Sequence, residues 1–456
     1  MKFHGVKAAI LAGWTATHLF GQLTINQAVD QALQNYPSVR VSQEQVNAAA
    51  AGIRLARTAF LPRVDAVAQA NRATRNNVFG LLLPTQGVIP TMSGPVIGSN
   101  NLGSAWGSAV GGLVTWEPFD FGLRRANVAA AEASRSQTEA ALKRTQFDIA
   151  AATADACLTL LATQETVRAA QAGVDRSETI ARTIGALVTA ELRPGADRAR
   201  AEAELAAART QLIQAQQAVD VARANVARFL GTDPPQINVA APALVKLPPE
   251  QAVSPLDPAA NPAVVVQAAV VQQAQAQLRA LERSYFPRFY LQGAAYARGT
   301  GAETDGRILG GLNGLAPTTQ DYALGITVSF PAADLPAVRA REAAQAATVR
   351  AETARSQQIA TDLRAQWNAA VSNLQGARRI AGNTPVEVSA ARAATEQATA
   401  RYQAGLGNID AVAEAQRLLT QAEIDDALAR LSVWRALLAI ATAAGDVRPF
   451  LEEASR

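Results

Sequence analysis

Of the side chains that most often carry chemistry, this 456-residue chain holds two histidines, His4 and His18, and one cysteine, Cys157. Both histidines fall in the first 20 residues, where Lys2 and Lys7 lead into a mostly apolar run. A short basic region followed by a short apolar one is the pattern of a secretory signal, expected here over 1–21 with cleavage near Gly21. The exported chain would then carry no histidine. That excludes Ser-His-Asp and Cys-His catalysis, His-ligated metal and any disulfide within the chain. No cysteine follows the signal, so a lipid-anchored N-terminus is not expected. Cys157 lies within a long helical stretch and reads as a packed small apolar residue. Nothing gathers the carboxylates into a cleft. The chain is not expected to be an enzyme, and no cofactor or metal is expected.

The carboxylates that stand out mark two chain reversals, Glu191 to Asp197 and Gly405 to Asp410. An aspartate at a helix start accepts bonds from first-turn N–H groups, worth about 1 kcal/mol. Asp197 and Asp410 are expected to cap in this way.

The elements that hold these turns are duplicated. Pro37 recurs as Pro262 and Pro62 as Pro287, both at an offset of 225 residues. Further on, Arg125 and Arg339, Leu192 and Leu406, Leu205 and Leu419, and Gly231 and Gly445 recur at 214, so the first half carries 11 extra residues between Pro62 and Arg125. In the first half, helices are expected over 38–60, 126–189 and 197–230; in the second, over 263–285, 340–403 and 410–443. At 1.5 Å per residue the long helices span roughly 96 Å and the two short ones together about 85 Å. Two short helices stacked end to end would match one long one.

The seams suit such packing. Leu205, Ala208, Leu212, Ala215, Val219, Ala222, Val226 and Phe229 follow a heptad stripe. The last helix carries two stripes, one through Ile424, Leu431, Trp434 and Leu438 and one through Leu419, Ala422, Val433 and Ala436, the second broken by Asp426. A helix with two apolar seams suits a wall of helices, although an isolated coiled-coil rod would show the same pattern.

Between the helices the period falls to two. Trp106, Ser108, Val110, Gly112, Val114 and Trp116 share one face, and Tyr322, Leu324, Ile326, Val328 and Phe330 share another. An apolar face with an aromatic at each end, backed by small or polar residues, is how a transmembrane barrel strand reads. Partner strands are expected over 64–78 and 288–298, with loops over 83–104 and 299–321. Four strands cannot close a barrel, since eight is about the minimum, and open edges are not tolerated in lipid. If these strands cross a membrane, several chains share one barrel. Hairpins half-buried in a water-soluble domain would alternate in the same way.

The organisation is therefore a signal (1–21), a first repeat (22–230), a Pro-rich segment (231–262) read as a belt around the helices, a second repeat (263–445) and a C-terminal tail (446–456). Without Lys2 and Lys7 the chain holds 40 basic residues against 38 acidic ones, too even a balance for a nucleic-acid binder. No other run of 18 or more apolar residues is seen, so no inner-membrane helix is expected.

This order of elements resembles the TolC-like outer-membrane efflux proteins from about residue 23 to 445. The resemblance is carried by Leu23 to Val29 leading to Asn35-Tyr36-Pro37; by Phe60-Leu61-Pro62; by Phe119-Asp120-Phe121-Gly122-Leu123-Arg124-Arg125; and by Tyr402-Gln403-Ala404-Gly405-Leu406 with Asp410 and Ala415-Gln416. It implies a homotrimer whose long antiparallel helices form an α-barrel tunnel in the periplasm. Its four strands per chain would close a 12-stranded barrel in outer-membrane lipid. The implied function is the passive exit duct of a tripartite efflux pump or type I secretion system, partnered by a periplasmic adaptor and an inner-membrane pump. The other open reading is a periplasmic coiled-coil structural or adaptor protein without a barrel.

The resemblance also implies that Glu191, Asp197, Tyr402, Gly405 and Asp410 surround the tunnel aperture and adaptor contact, and that Trp106, Trp116, Tyr322 and Phe330 lie at the membrane interfaces. Where the family carries an arginine and a second aspartate at this turn, the chain has Gly407 and Ala413, so the gate is expected to lack a link. With three-fold symmetry, Asp197 and Asp410 would form anionic rings that favour cations.

Overall fold

The computed structural model describes residues 23–74, 103–234, 237, 239, 242–250, 253–303, 307–330 and 332–455. The signal and most of loop 83–104 lie outside the described residues, as does Thr304. The chain forms two compact units, one of residues up to Glu44 with Glu139–Gln267 and Arg355–Arg456, the other of Gln45–Thr138 and Ala268–Ala354.

Eight helices and four strands are described: α1 Ile25–Asn35, α2 Pro37–Thr58, β1 Arg63–Thr74, β2 Ser104–Phe119, α3 Leu123–Thr189, α4 Gly195–Leu230, α5 Pro262–Arg283, β3 Arg288–Thr300, β4 Thr319–Ser329, α6 Leu335–Gln403, α7 Ile409–Ala444 and α8 Arg448–Ala454. The duplicated order matches the sequence reading, with the long helices starting three to five residues earlier than expected. Helices α1 and α8 were not anticipated. The first follows a capping box in which Thr24 and Gln27 each bond the other's backbone N–H. The second buries Phe450 in what read as a plain tail.

The first unit packs small residues at close range. Its largest core joins Ile25 and Val29 of α1, Leu158 and Leu161 of α3, Val226 and Leu230 of α4, and Leu431 and Trp434 of α7. Both stripes of α7 are packed, the second against Leu374 and Ala381 of α6. Asp426, which breaks that stripe, accepts bonds from the Thr384 hydroxyl of α6 (2.8 Å) and from Arg430. Helix α7 is long and apolar enough by composition to cross a membrane, because it faces apolar neighbours on two sides. Cys157 is fully buried, and burial pushes its thiol up to about 12, as expected of a packing residue.

The short helices of the first repeat meet end to end: the rings of Tyr36 and Phe229 are 5.3 Å apart, and the Asn35 amide donates to Leu230 O (3.2 Å) just before Gly231 ends α4 in the left-handed region. The second repeat copies the device, with the Asn261 amide donating to Ala443 O (3.0 Å) before Gly445. Gly231 and Gly445 are among the anchors that reveal the duplication, and the reason for them is helix capping.

The Pro-rich segment packs as a belt within this unit. Leu244 and Val253 join the helical cores, Val239 bridges to Leu23, and the Trp434 indole donates to Lys246 O (2.8 Å).

In the second unit the four strands form one antiparallel sheet in the order β1-β2-β3-β4. Below it α2 pairs with α3 through Arg57 and Glu132 (3.1 Å), and α5 pairs with α6 through Gln345 and Ala274 O (3.0 Å).

Candidate tunnel aperture and membrane-facing sheet

The two turns of the first unit are built alike. Ala190, Glu191 and Leu192 donate their N–H groups to Ala186, Val188 and Leu187; Ala404, Gly405 and Leu406 donate to Ala400, Tyr402 and Arg401, the residues 214 further on. Both turns close on a left-handed residue, Glu191 at φ 55° and Gly405 at φ 79°. The Glu/Gly difference between the repeats therefore changes strain and leaves the path of the chain unchanged.

Around these turns Ile184, Ala201, Tyr402, Ile409 and Val412 form a separate small core. The Tyr402 hydroxyl donates to Asp197 Oδ2 at 2.7 Å. Burial and this bond to a carboxylate raise the phenol to about 12, against an opposing effect from Arg193, so the hydroxyl keeps its proton at neutral pH. The guanidinium carbon of Arg193 sits 4.4 Å from the Tyr402 ring centroid, and Arg193 Nη2 donates to Tyr402 O.

Two expectations are corrected here. Asp197 does not cap α4: the N-cap is Pro194, which offers no side-chain bond, and the Asp197 carboxylate instead turns to Tyr402. Asp410 does not cap α7 either. Asn408 does so, its Oδ1 accepting from Ala411 N (3.0 Å), because its backbone is extended where Asp410 is already inside the helix. Asp410 lies in the first turn, 3.4 Å from Arg200 Nε, with both side chains substantially exposed. Arg200 also meets Glu204, so Asp410 belongs to a mixed-charge patch.

The arginine that the resemblance implies at Gly407 has a counterpart in the first repeat. Residue 407 less the offset of 214 is 193, and Arg193 is the side chain laid on Tyr402. Comparing the two halves position by position finds it. Asn408 could have been found from the cap rule, since it directly precedes the helix. The pairing of Tyr402 with Asp197 had no local sequence signal.

Higher in the same unit, α3 and α7 approach closely. A Cβ on Gly173 would come 2.9 Å from the Thr420 hydroxyl, and Arg176 donates to that hydroxyl (2.9 Å) and to both carboxylate oxygens of Glu423 (2.9 and 3.3 Å).

The Phe119-Asp120-Phe121-Gly122 motif is the joint between strand and helix. Asp120 accepts from Gly122 N (3.1 Å), Arg124 N (2.6 Å) and Arg124 Nε (3.0 Å), while Arg124 reaches Ala59 O (3.3 Å) and stacks over Phe60. The ion pair is nearly fully buried. Burial alone would raise the Asp120 carboxyl, but the N–H and guanidinium bonds from Arg124 and the Gly122 N–H hold it below its ordinary value. Phe121 and Gly122 turn the chain through positive φ. Around the joint, Phe119, Phe121, Phe286 and Phe289 form a ring cluster with centroids 4.7 to 6.3 Å apart.

The register assigns the faces of the sheet. Val64, Val114, Gly293 and Leu324 lie in one row, Trp116, Leu291 and Ile326 in another. This face is apolar and open: Tyr322 is 83% exposed, Leu324 81% and Ile326 76%. On the opposite face lie Asp65, Gln69, Asn71, Gln292 and Thr327, with Arg298 paired to Asp321 (2.8 Å) and Arg288 to Glu117 (2.9 Å). A face whose charges are paired, set against one that is mostly hydrocarbon with Arg72 at its far end, is built for lipid outside and water inside. Trp116 donates to Phe60 O (3.1 Å) at the helical end, and Phe330 lies there against Tyr285. Trp106 lies at the far end of β2. Tyr322 stands opposite Ala295, in line with Gly112, six residues short of Trp106.

A mainly helical chain in two repeats, each contributing a strand pair with one exposed apolar face, defines a channel that combines a helical barrel with a β-barrel. The outer membrane efflux protein family model matches residues 28–232 and 258–446, and the chain belongs to that family. It serves as an outer-membrane exit duct, and the reading as a coiled coil without a barrel does not stand. Its fold is similar to that of the outer membrane protein VceC of Vibrio cholerae (17% identity, TM-score 0.71, over 92% of this chain and 96% of that one). It is similar too to the CmeC outer membrane channel of Campylobacter jejuni (14%, 0.72, 95% and 89%) and to the open state of the MtrE outer membrane channel of Neisseria gonorrhoeae (18%, 0.69, 92% and 89%). The comparison with curated proteins found no match.

Proposed function

We propose that three copies of the chain close a 12-stranded barrel in the outer membrane, above a periplasmic tunnel of long helices. An adaptor and an inner-membrane pump dock to it and supply substrate and energy. The observation that carries this reading is the open sheet. Among the described residues β1 and β4 each pair on one side only, while their shared outer face is apolar and exposed. In lipid those edges must find partners, and copies of the same chain supply them at equal length.

The turns at Glu191 and Gly405 form the periplasmic mouth, and loop 307–318 faces the exterior. At the mouth, the Tyr402–Asp197 bond and the Arg193 stack hold the α6–α7 turn against α4. The barrel lumen is lined by the polar face, where paired charges leave a weakly selective, water-filled path. Asp410, recurring three times at the mouth, would sit beside Arg200, and Asp197 is bonded to Tyr402, so cation preference there is modest.

Detergent extraction of the outer membrane followed by electron microscopy tests the assembly: a three-fold tube is expected, and a monodisperse monomer would overturn it. In intact cells, a cysteine at Glu303, exposed in the same connection, should react with an impermeant thiol reagent and one at Asn408 should not; the reverse pattern would overturn the orientation.

A further inference from the structure

The connection from β3 to β4 folds back onto the sheet. Gly299 and Gly301 continue the parity of Leu291, Gly293, Ala295 and Ala297, so side chains there would stand on the apolar face. Backbone of the loop fills that space instead. A Cβ on Gly299 would lie 2.3 Å from Ala316 O, one on Gly301 2.5 Å from Asn313 O, and one on Gly314 2.1 Å from Trp106 O. Gly301 N donates to Trp106 O and Leu309 N to Gly301 O, each at 2.8 Å. The loop thus lies on the outer side of the strand ends, with Leu312 73% and Leu309 38% exposed.

Next to it on the same face, Arg72 stands directly opposite Trp106. Its guanidinium carbon is 5.5 Å from the indole centroid and its Nε donates to Ser104 Oγ at 3.0 Å. Both contacts are neutral, so neither cancels the charge.

We propose that this outer rim is a seat for an anionic, phosphorylated lipid of the outer leaflet: Leu309 and Leu312 enter the acyl layer, and Arg72, braced on Trp106, binds a headgroup phosphate. The proposal rests on the reading of the apolar face as lipid-facing. Two observations select the occupant. The seat is continuous with that face, and it places a cation on an indole at the level where tryptophan prefers the interface. A guanidinium matches phosphate in charge and in its fork of donors.

The test uses the full-length protein in phosphatidylcholine vesicles. A fluorophore on Leu312→Cys should be quenched by brominated acyl chains and hardly by aqueous iodide, as should one on Ile326→Cys at mid-sheet. Quenching by bromine at Ile326 but only by iodide at Leu312 would overturn the lipid seat while leaving the barrel intact; iodide quenching at both would overturn the barrel reading first. In the second arm, diphosphoryl lipid A added to the vesicles should raise the thermal midpoint of the oligomer. Arg72→Gln should weaken apparent lipid A affinity about tenfold, the loss of one charge-assisted contact, with conductance unchanged. Undiminished affinity in Arg72→Gln would remove the headgroup site.

Discussion

Arg193 lies over the ring of Tyr402, 4.4 Å from its centroid, and bonds to the same residue's carbonyl oxygen. One side chain from the first repeat thus clamps the last turn of α6 in the second. Arg193→Ala and Tyr402→Phe should each loosen this turn, increasing single-channel conductance in planar bilayers; conductance equal to that of the unmodified protein in both variants would leave the clamp a packing role only.

The Tyr402 hydroxyl also sets a pH window. Its pKa is raised from 10 to about 12, so the stability it contributes is complete below about pH 10 and lost as the pH climbs through 12. Alkaline titration should loosen this turn in that window, read by conductance or by labelling of a cysteine at Val412. Tyr402→Phe, which cannot ionise, should lack this transition.

Glu191 and Gly405 hold the same left-handed backbone in equivalent turns. A residue with a Cβ costs about 1–2 kcal/mol there relative to glycine. Glu191→Gly should raise the thermal midpoint of the assembled protein and Gly405→Ala should lower it. Two shifts of the same sign would contradict the equivalence of the turns.

Asn408 caps α7 and Asp410 does not. Asn408→Ala should cost about 1 kcal/mol of stability. Asp410→Asn should leave stability unchanged and reduce cation selectivity only slightly, since Arg200 already lies beside it. A large selectivity change on Asp410→Asn would restore the anionic ring as a functional element.

The buried Asp120–Arg124 pair ties strand to helix. Removing one partner of such a pair costs about 3–5 kcal/mol, because the other charge is left buried and alone. Asp120→Ala should therefore sharply reduce the fraction of chain recovered as oligomer. Since the Asp120 pKa is lowered from 3.8, its contribution is present above that value and disappears as the pH falls below it.

Gly173→Ala would ordinarily favour a helix by about 0.5–1 kcal/mol. Here the added methyl meets Thr420 at 2.9 Å, and moving Thr420 breaks its bond to Arg176. The substitution should destabilise the protein, and Thr420→Ala in the same chain should recover most of the loss. Additive effects of the two changes would show that the contact is not shared.

The duplicated order of helices and strands was legible because it rests on local regularities. The heptad stripes of α4 and α7, the alternation of β2 and β4, and the Gly231 and Gly445 stops each act within a few residues of chain. The offset of 214 also places Arg193 at the position of Gly407. Helix α8 has a short stretch with little periodicity, and burial of Val447, Phe450 and Ala454 against the helical core holds it in place.

The sequence by itself determined the two repeats, their order of helices and strands, and the motifs that carry the resemblance to the family. It also determined where the chain turns. What those turns do was decided by the tertiary structure. Asp197 and Asp410 carry the residue type of a helix cap, and neither caps, because Pro194 and Asn408 start the helices earlier. Asp197 then meets a tyrosine 205 residues away. A cap depends on the backbone angles of one residue, which a chain reversal leaves open within a position or two. A bond between distant side chains depends on how two helices are laid against each other, and no local pattern encodes that.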